Sequence, residues 1–329
     1  MTATLAPPST PTPDAARRSP WPLVGCVALF TLAAPPLFAA YAFFDVLVLT
    51  GIWGIAALGT GLLSGYAGQV SLGQGAILGL GAYAAALAVT EWRLPEPLGI
   101  LLAIGVALVV ALITAPLLRL HGFYLALATL ALGLIITQAF TNLGSLTGGV
   151  SGRSVPALSV GGVALDSREA SFWTGWAVLT VALAGIGNLM RSRYGQAFGA
   201  IEQDEAAARA LGIPVFRYKT ALWLIAAALT AVSGALYAHH LQFLSPDQFG
   251  IDASVQIVAA VIIGGTGLRL GPVLGMWLLQ ALPQVTRDLG ISTPLATGVL
   301  MIAVMVFFPG GLSEALLRLG RLGRARKET

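Results

Sequence analysis

Charge is what this sequence has least of. Asp, Glu, Lys and Arg together supply 10% of its 329 residues, against 57% hydrophobic, whereas soluble proteins carry roughly a quarter charged residues. The chain lacks the groups needed to cover a water-facing surface, so a soluble globule is excluded. A single cysteine, Cys26, rules out a disulfide framework and any multi-cysteine metal site. The histidines are His121 and the pair His239 and His240; adjacent helical residues point about 100° apart, so the pair does not converge on one ion. No Gly-x-x-x-x-Gly-Lys-Ser/Thr occurs, so the chain does not cradle ATP in the usual way. No catalytic residue, cofactor or metal is expected, and the chain does not read as an enzyme. Its net charge is only +4, and no nucleic-acid partner is expected.

What is present is apolar sequence in long blocks. The stretches free of Asp, Glu, Lys and Arg run 19–44, 46–90, 97–118, 120–152, 170–190, 220–246, 253–268, 270–286 and 289–313. A spanning helix needs about 20 apolar residues, so block 46–90 holds two spans, interrupted between Gly65 and Gly75. The expectation is an all-α integral membrane protein of about ten transmembrane helices. Blocks 253–268 and 270–286 are short for full spans and also fit one broken segment. Basic residues concentrate in loops kept in the cytoplasm. With ten spans and an inside N-terminus, all but Arg93, Arg153, Arg168 and Arg287 of the 18 basic residues fall inside. Both termini are therefore expected in the cytoplasm, with an uncleaved first helix. Residues 1–20, rich in proline, read as a disordered tail; residues 21–312 form the membrane domain, and 313–329 a basic cytoplasmic tail.

No acidic or basic side chain lies well inside a predicted span, whereas ion-coupled carriers usually need such groups. The energy for transport must then enter from elsewhere. Two regions stand out. In Gly65-Tyr66-Ala67-Gly68-Gln69-Val70-Ser71-Leu72-Gly73-Gln74-Gly75 the glycines disfavour a continuous helix, and Gln69, Ser71 and Gln74 bring amides and a hydroxyl into a charge-free block. Irregular backbone at membrane depth survives only where protein buries it or where it lines a wet cavity. The segment reads as part of a translocation pathway, or as close packing through small residues such as Gly75 and Gly79. Gln138 and Asn142, at i,i+4 spacing, are further polar candidates for the pathway. The second region is the charged loop 191–219. Glu202, Asp204 and Glu205, then Ala206, Ala207, Arg209 and finally Gly212-Ile213-Pro214, spell one short capped helix. Its alanine-rich surface suits close approach by another protein; a solvated connector is the alternative.

Gly65 to Tyr83, Phe123 to Leu130, Thr147-Gly148-Gly149, Tyr194-Gly195-Gln196-Ala197 and Ala207 to Pro214 together resemble the LivM-type permease, the membrane subunit of bacterial branched-chain amino acid ABC importers. The likeness runs from about residue 45 to 312. It implies the larger, type II-like kind of importer permease, placed in the bacterial inner membrane. The implied partners are a LivH-like permease, two cytoplasmic ATPase subunits and an extracytoplasmic solute-binding protein. Loop 202–214 is similar to the helix such permeases insert into the ATPase. One departure stands: in the importer motif Glu-Ala-Ala-x-x-x-Gly, aligned on Gly212, Ala206 occupies the glutamate position and Glu205 lies one residue early. Competing solutes are urea, short-chain amides and other amino acids. Competing classes are a self-sufficient channel or secondary carrier, and a membrane scaffold.

Overall fold

The computed structural model describes residues 24–30, 43–160, 163–164, 167–266, 270–290, 292–307 and 310–313. The expected N-terminal tail, most of block 19–44 and the basic C-terminal tail beyond residue 313 lie outside the described residues. Residues 24–30 are helical. The numbered helices that follow are α1 (Phe44–Ala67), α2 (Gln74–Thr90), α3 (Glu96–Thr114), α4 (Phe123–Asn142), the single turn α5 (Gly144–Thr147), α6 (Arg168–Arg191), α7 (Arg193–Gln203), α8 (Glu205–Ala210), α9 (Val215–Leu241), α10 (Ile251–Gly264), α11 (Gly271–Leu289) and α12 (Thr293–Phe307). Short antiparallel pairs join β1 (Arg153–Ser154) to β4 (Phe243–Leu244) and β2 (Ser159–Val160) to β3 (Val163–Ala164).

Among the described residues, six helical stretches are long and apolar enough to cross a bilayer: Phe44–Ala67, Glu96–Arg119, Phe123–Asn142, Arg168–Arg191, Val215–Leu241 and Pro246–Gly264. Gln74–Thr90 and Thr293–Phe307 are shorter apolar helices. The protein is thus a multi-pass all-α membrane protein. Blocks 253–268 and 270–286 form two separate helices: α10 and α11 pack so closely that a methyl on Gly275 would run into the Ala260 carbonyl.

Burial sorts the spans into a centre and a periphery. The apolar window of α1 is 94% buried and that of α9 61%, against 33% for α3 and 22% for α4. The two central helices run antiparallel, with Gly59 against Ala226 and the Ser233 hydroxyl donating to the Ile52 carbonyl at 2.8 Å. Water-depleted packing gives no extra drive for helix association in lipid, so small residues and buried hydrogen bonds carry it. A methyl on Gly234 of α9 would meet the Leu78 carbonyl of α2, and one on Gly81 would meet Ala231, so these backbones touch. Indole donors tie the outer helices to the centre: Trp176 Nε1 donates to the Leu47 carbonyl at 2.9 Å, and Trp223 Nε1 to that of Ala111 at 3.0 Å. The antiparallel pairing of α1 and α9 places the end of α1, the start of α9 and the α7–α8 loop at one end of the bundle. The β1–β4 pair closes the other.

Candidate functional site

The helix of α1 stops at Ala67, where Gly68 adopts a left-handed conformation with φ of 60°. Residues 68–73 then run without helix until α2 begins at Gln74. The segment climbs into the bundle. Near its start Gln69 donates through Nε2 to the Leu118 carbonyl at 3.1 Å, close to the end of α3. By its finish Gln74 Oε1 accepts from the Thr230 hydroxyl at 2.9 Å, near the midpoint of α9. Between them the Leu72 N–H donates to Thr129 Oγ1 at 3.0 Å and the Gly73 N–H to Ser71 Oγ at 3.3 Å. The Gly75 N–H donates to Ser254 Oγ at 2.9 Å, and a methyl on Gly75 would lie 2.8 Å from the Gly250 carbonyl and the Ser254 N. Backbone groups freed by the missing helical turns are thus taken up by side chains from α4 and α10.

Gln69, Ser71 and Gln74 are all buried. Yet among the described residues Gln69 Oε1 and Gln74 Nε2 have no hydrogen-bond partner, a costly arrangement for buried amides. The structure therefore brings these three candidates together in one stretch. It places Gln138 and Asn142 elsewhere: both are exposed on the outer side of α4, beside Ile135, also exposed.

The second candidate region begins with a turn at Ser192, whose hydroxyl donates to the Leu189 carbonyl at 2.6 Å and accepts from the Tyr194 N–H at 3.2 Å. Helix α7 buries Gly195, Phe198 and Ile201 along one face, and Phe198 meets Tyr218 of α9 edge-on at 5.6 Å. Asp204 ends α7 in an extended conformation and caps α8, accepting from the Ala206 and Ala207 N–H groups at 2.8 and 3.0 Å. At the other end the Gly212 N–H donates to the Arg209 carbonyl and the Ile213 N–H to that of Ala208, the Schellman pattern. That pattern needs a left-handed residue, and Gly212 supplies it at φ of 81°. Ala208 is buried against Ile201 and Val215. Glu202, Asp204, Ala206, Ala207, Arg209 and Gly212 remain exposed, as does Leu211 at 79%.

Glu205 faces inward instead. Its Oε2 accepts from Lys219 Nζ at 2.7 Å, its Oε1 pairs with Arg209, and His121 lies 3.9 Å away. Burial acts to raise the carboxyl's pKa, but the hydrogen bonds and charges of Lys219 and Arg209 outweigh it and hold Glu205 below the ordinary carboxylate range. Lys219 is only 4% exposed, so this pair ties α8 to the first turns of α9. Sequence reading did not select Lys219, Thr230 or Ser254. Lys219 lies near the start of a long apolar helix, where a lysine ordinarily snorkels to the interface, so its position gave no sign of a buried acidic partner.

Among the described residues no group of three or more His, Cys, Asp or Glu side chains is placed to hold a metal ion. A profile of the family described as branched-chain amino acid transport system / permease component matches residues 42–309. The chain is 31% identical to the high-affinity branched-chain amino acid transport system permease protein LivM of Escherichia coli K12, covering 87% of this chain and 73% of that one. It is 26% identical to the ribose import permease protein RbsC of Haemophilus influenzae, over 82% of this chain and 85% of the other. A shorter match, 31% identical over 44% of each chain, is to the autoinducer 2 import permease LsrC of Klebsiella pneumoniae. No solved structure matches.

Proposed function

Because the chain belongs to the branched-chain amino acid permease family of ABC importers, we propose that it carries branched-chain or related hydrophobic amino acids inward, driven by separate ATPase subunits that grip α8. The observation that carries this reading is the Glu205–Lys219 pair: a capped, exposed helix is clamped to the central helix α9. Its outward residues are small, apart from Arg209 and Leu211, which suits insertion into a groove. From Lys219 the same helix runs to Thr230, which holds Gln74 in the break. Nucleotide binding that draws two α8 helices together would bias one packing of α9 and the break over another, a population shift between two arrangements. The route passes Gln69, Ser71 and Gln74, with Gln138 and Asn142 facing a LivH-like second permease. An extracytoplasmic binding protein delivers the solute. The chain spans the inner membrane about ten times, in the type II-like manner, with both termini in the cytoplasm.

A second reading, a sugar as solute, is favoured by the extent of the match to the ribose permease. ATP-dependent uptake of leucine, valine, ribose and urea by the complex purified from its native host separates these solutes. The coupling role is tested by Gly212→Pro and by deletion of 203–211. Both are expected to leave the membrane domain inserted while the ATPase subunits dissociate on affinity purification. ATPase subunits that stay bound to both variants would count against the role.

A further inference from the structure

Residues 91–95 turn α2 into α3 at the end of the bundle closed by the β1–β4 pair, where Glu91 meets Arg153 of β1. Arg93 stands in the left-handed region at φ of 50°, a conformation that glycine adopts freely and that strains a residue with a side chain. The next N–H, that of Leu94, donates back to the Ala88 carbonyl at 2.9 Å. Trp92 is 60% exposed, and tryptophan is enriched at the depth where a bilayer's hydrocarbon meets its headgroups. Beside this turn a cavity of about 460 Å³ opens, walled by Val89, Leu94 and Pro97 together with Arg93 and Glu96. Its volume falls within the roughly 300–1,000 Å³ of pockets that hold small ligands.

The cavity carries one charge of each sign. Glu96 is 6% exposed and its Oε2 accepts from the Ser159 N–H, which leaves Oε1 to accept from a ligand. Among the described residues Arg93 has no ion-pair partner, the neighbouring Glu91 being taken by Arg153. A guanidinium matches phosphate oxygens two at a time, and a carboxylate oxygen needs a cation that bears N–H groups. Apolar surface continues from the cavity along α3. Pro97, Leu101, Gly105, Val109 and Ile113 are all exposed, and their i,i+4 spacing sets them on one stripe. Space is open beside Gly105, so the stripe has a notch at its middle. From Pro97 to Ile113 it runs about 24 Å, more than the half of a hydrocarbon core, about 15 Å, that the chains of one leaflet cross.

We infer that the α2–α3 turn is a binding site for a phospholipid with an ethanolamine headgroup, its phosphate on Arg93, its ammonium on Glu96 Oε1 and an acyl chain along the α3 stripe. The two charges select together. A choline headgroup has no N–H to give Glu96, and a glycerol headgroup has no cation. A free amino acid shares the ammonium and an anion, but it has no chain to cover Leu101 and Val109. The lipid would join Arg93 of the turn to the first turn of α3, and through Glu96 to the loop at Ser159.

The test titrates the complex purified from its native host with ethanolamine, choline and glycerol phospholipids of identical acyl chains, reading bound lipid by native mass spectrometry. The unaltered complex is expected to bind the ethanolamine lipid about tenfold more tightly than either of the others, the margin of a charge-assisted contact. Arg93→Gly suits the left-handed turn, so its melting temperature without lipid should equal or exceed that of the unaltered chain while ethanolamine-lipid binding weakens about tenfold. Glu96→Gln keeps an oxygen for the Ser159 N–H but not the charge, and should abolish the preference for ethanolamine over choline. Soluble phosphoethanolamine is expected to compete with the lipid, and leucine is not. Equal binding of the three lipids, or undiminished ethanolamine-lipid binding by a folded Arg93→Gly complex, overturns the assignment. Displacement of the lipid by leucine overturns it as well, giving the cavity to a free amino acid instead.

Discussion

The chain interrupts its helices at two places that treat their polar groups in opposite ways. Between α7 and α8, Asp204 satisfies the first N–H groups of α8, Gly212 and Ile213 close its last carbonyls, and Glu205 is matched by Lys219 and Arg209. Between α1 and α2, backbone groups are met by Thr129, Ser71 and Ser254, but the amides of Gln69 and Gln74 each keep one buried atom without a partner among the described residues. A fully satisfied network specifies one geometry, whereas a partly satisfied one is costly in the state where it is seen. The loop is thus held in one shape. The break leaves two amide atoms that a different arrangement could satisfy.

Substitutions that treat the two regions alike should therefore give unlike results. The largest effect is expected at the break itself: Gly75→Val drives a side chain into the Gly250 and Ser254 backbone and should cost about 3 kcal/mol, the upper range for overpacking, seen as a lowered melting temperature in detergent. In the loop, Glu205→Gln leaves Lys219 buried without its carboxylate and should cost about 2 kcal/mol, with earlier proteolysis at 203–212. Polar-to-apolar changes give the sharpest contrast, because their signs differ. Asp204→Ala removes the cap of α8 and should destabilise by about 1 kcal/mol. Gln74→Met loses the bond to Thr230, worth about 0.6 kcal/mol within a membrane, but relieves an unmet amide worth about 1–3 kcal/mol. It should raise the melting temperature while lowering transport, and a lowered melting temperature for Gln74→Met would remove the distinction drawn here.

The smallest effect concerns pH. Glu205 is held below its ordinary range, so on acidification the unfolded chain takes up the proton first. The contribution of the clamp is complete above the unfolded carboxylate's pKa and is lost as pH falls through the lower folded value. The protection of the amides of residues 206–210, taken as exchange relative to the intrinsic rate at each pH, is expected to be flat from neutral pH down to the ordinary carboxylate range and to fall only below it.

Much of this was legible locally. The break between Gly65 and Gly75 is written in glycine and polar residues within one charge-free block, and the structure ends α1 at Ala67 and restarts at Gln74. The short helix after Asp204 follows from its cap, its alanines and Gly212-Ile213-Pro214. Contacts between distant segments were not legible. Thr230 meets Gln74 across 156 residues and Ser254 meets Gly75 across 179, and neither pairing has a periodic signature because each depends on how the helices cross. Exposure was equally hidden. Gln138 and Asn142 share one face of α4 by spacing, but only the packing shows that this face points away from α2. The inward turn of Glu205 toward Lys219 was hidden in the same way.

Helix α9 has 27 residues and no proline within it, which makes it about 40 Å long at 1.5 Å per residue. At its origin it is bolted to α8, and at its far tip it leads directly into the β4 strand that pairs with β1. Such a rod acts as a lever: a tilt of about 5° around its middle would carry each tip by roughly 2 Å, in opposite directions. Motion imposed on one tip of the helix would then be felt at the other without any message having to pass through lipid-facing parts of the molecule.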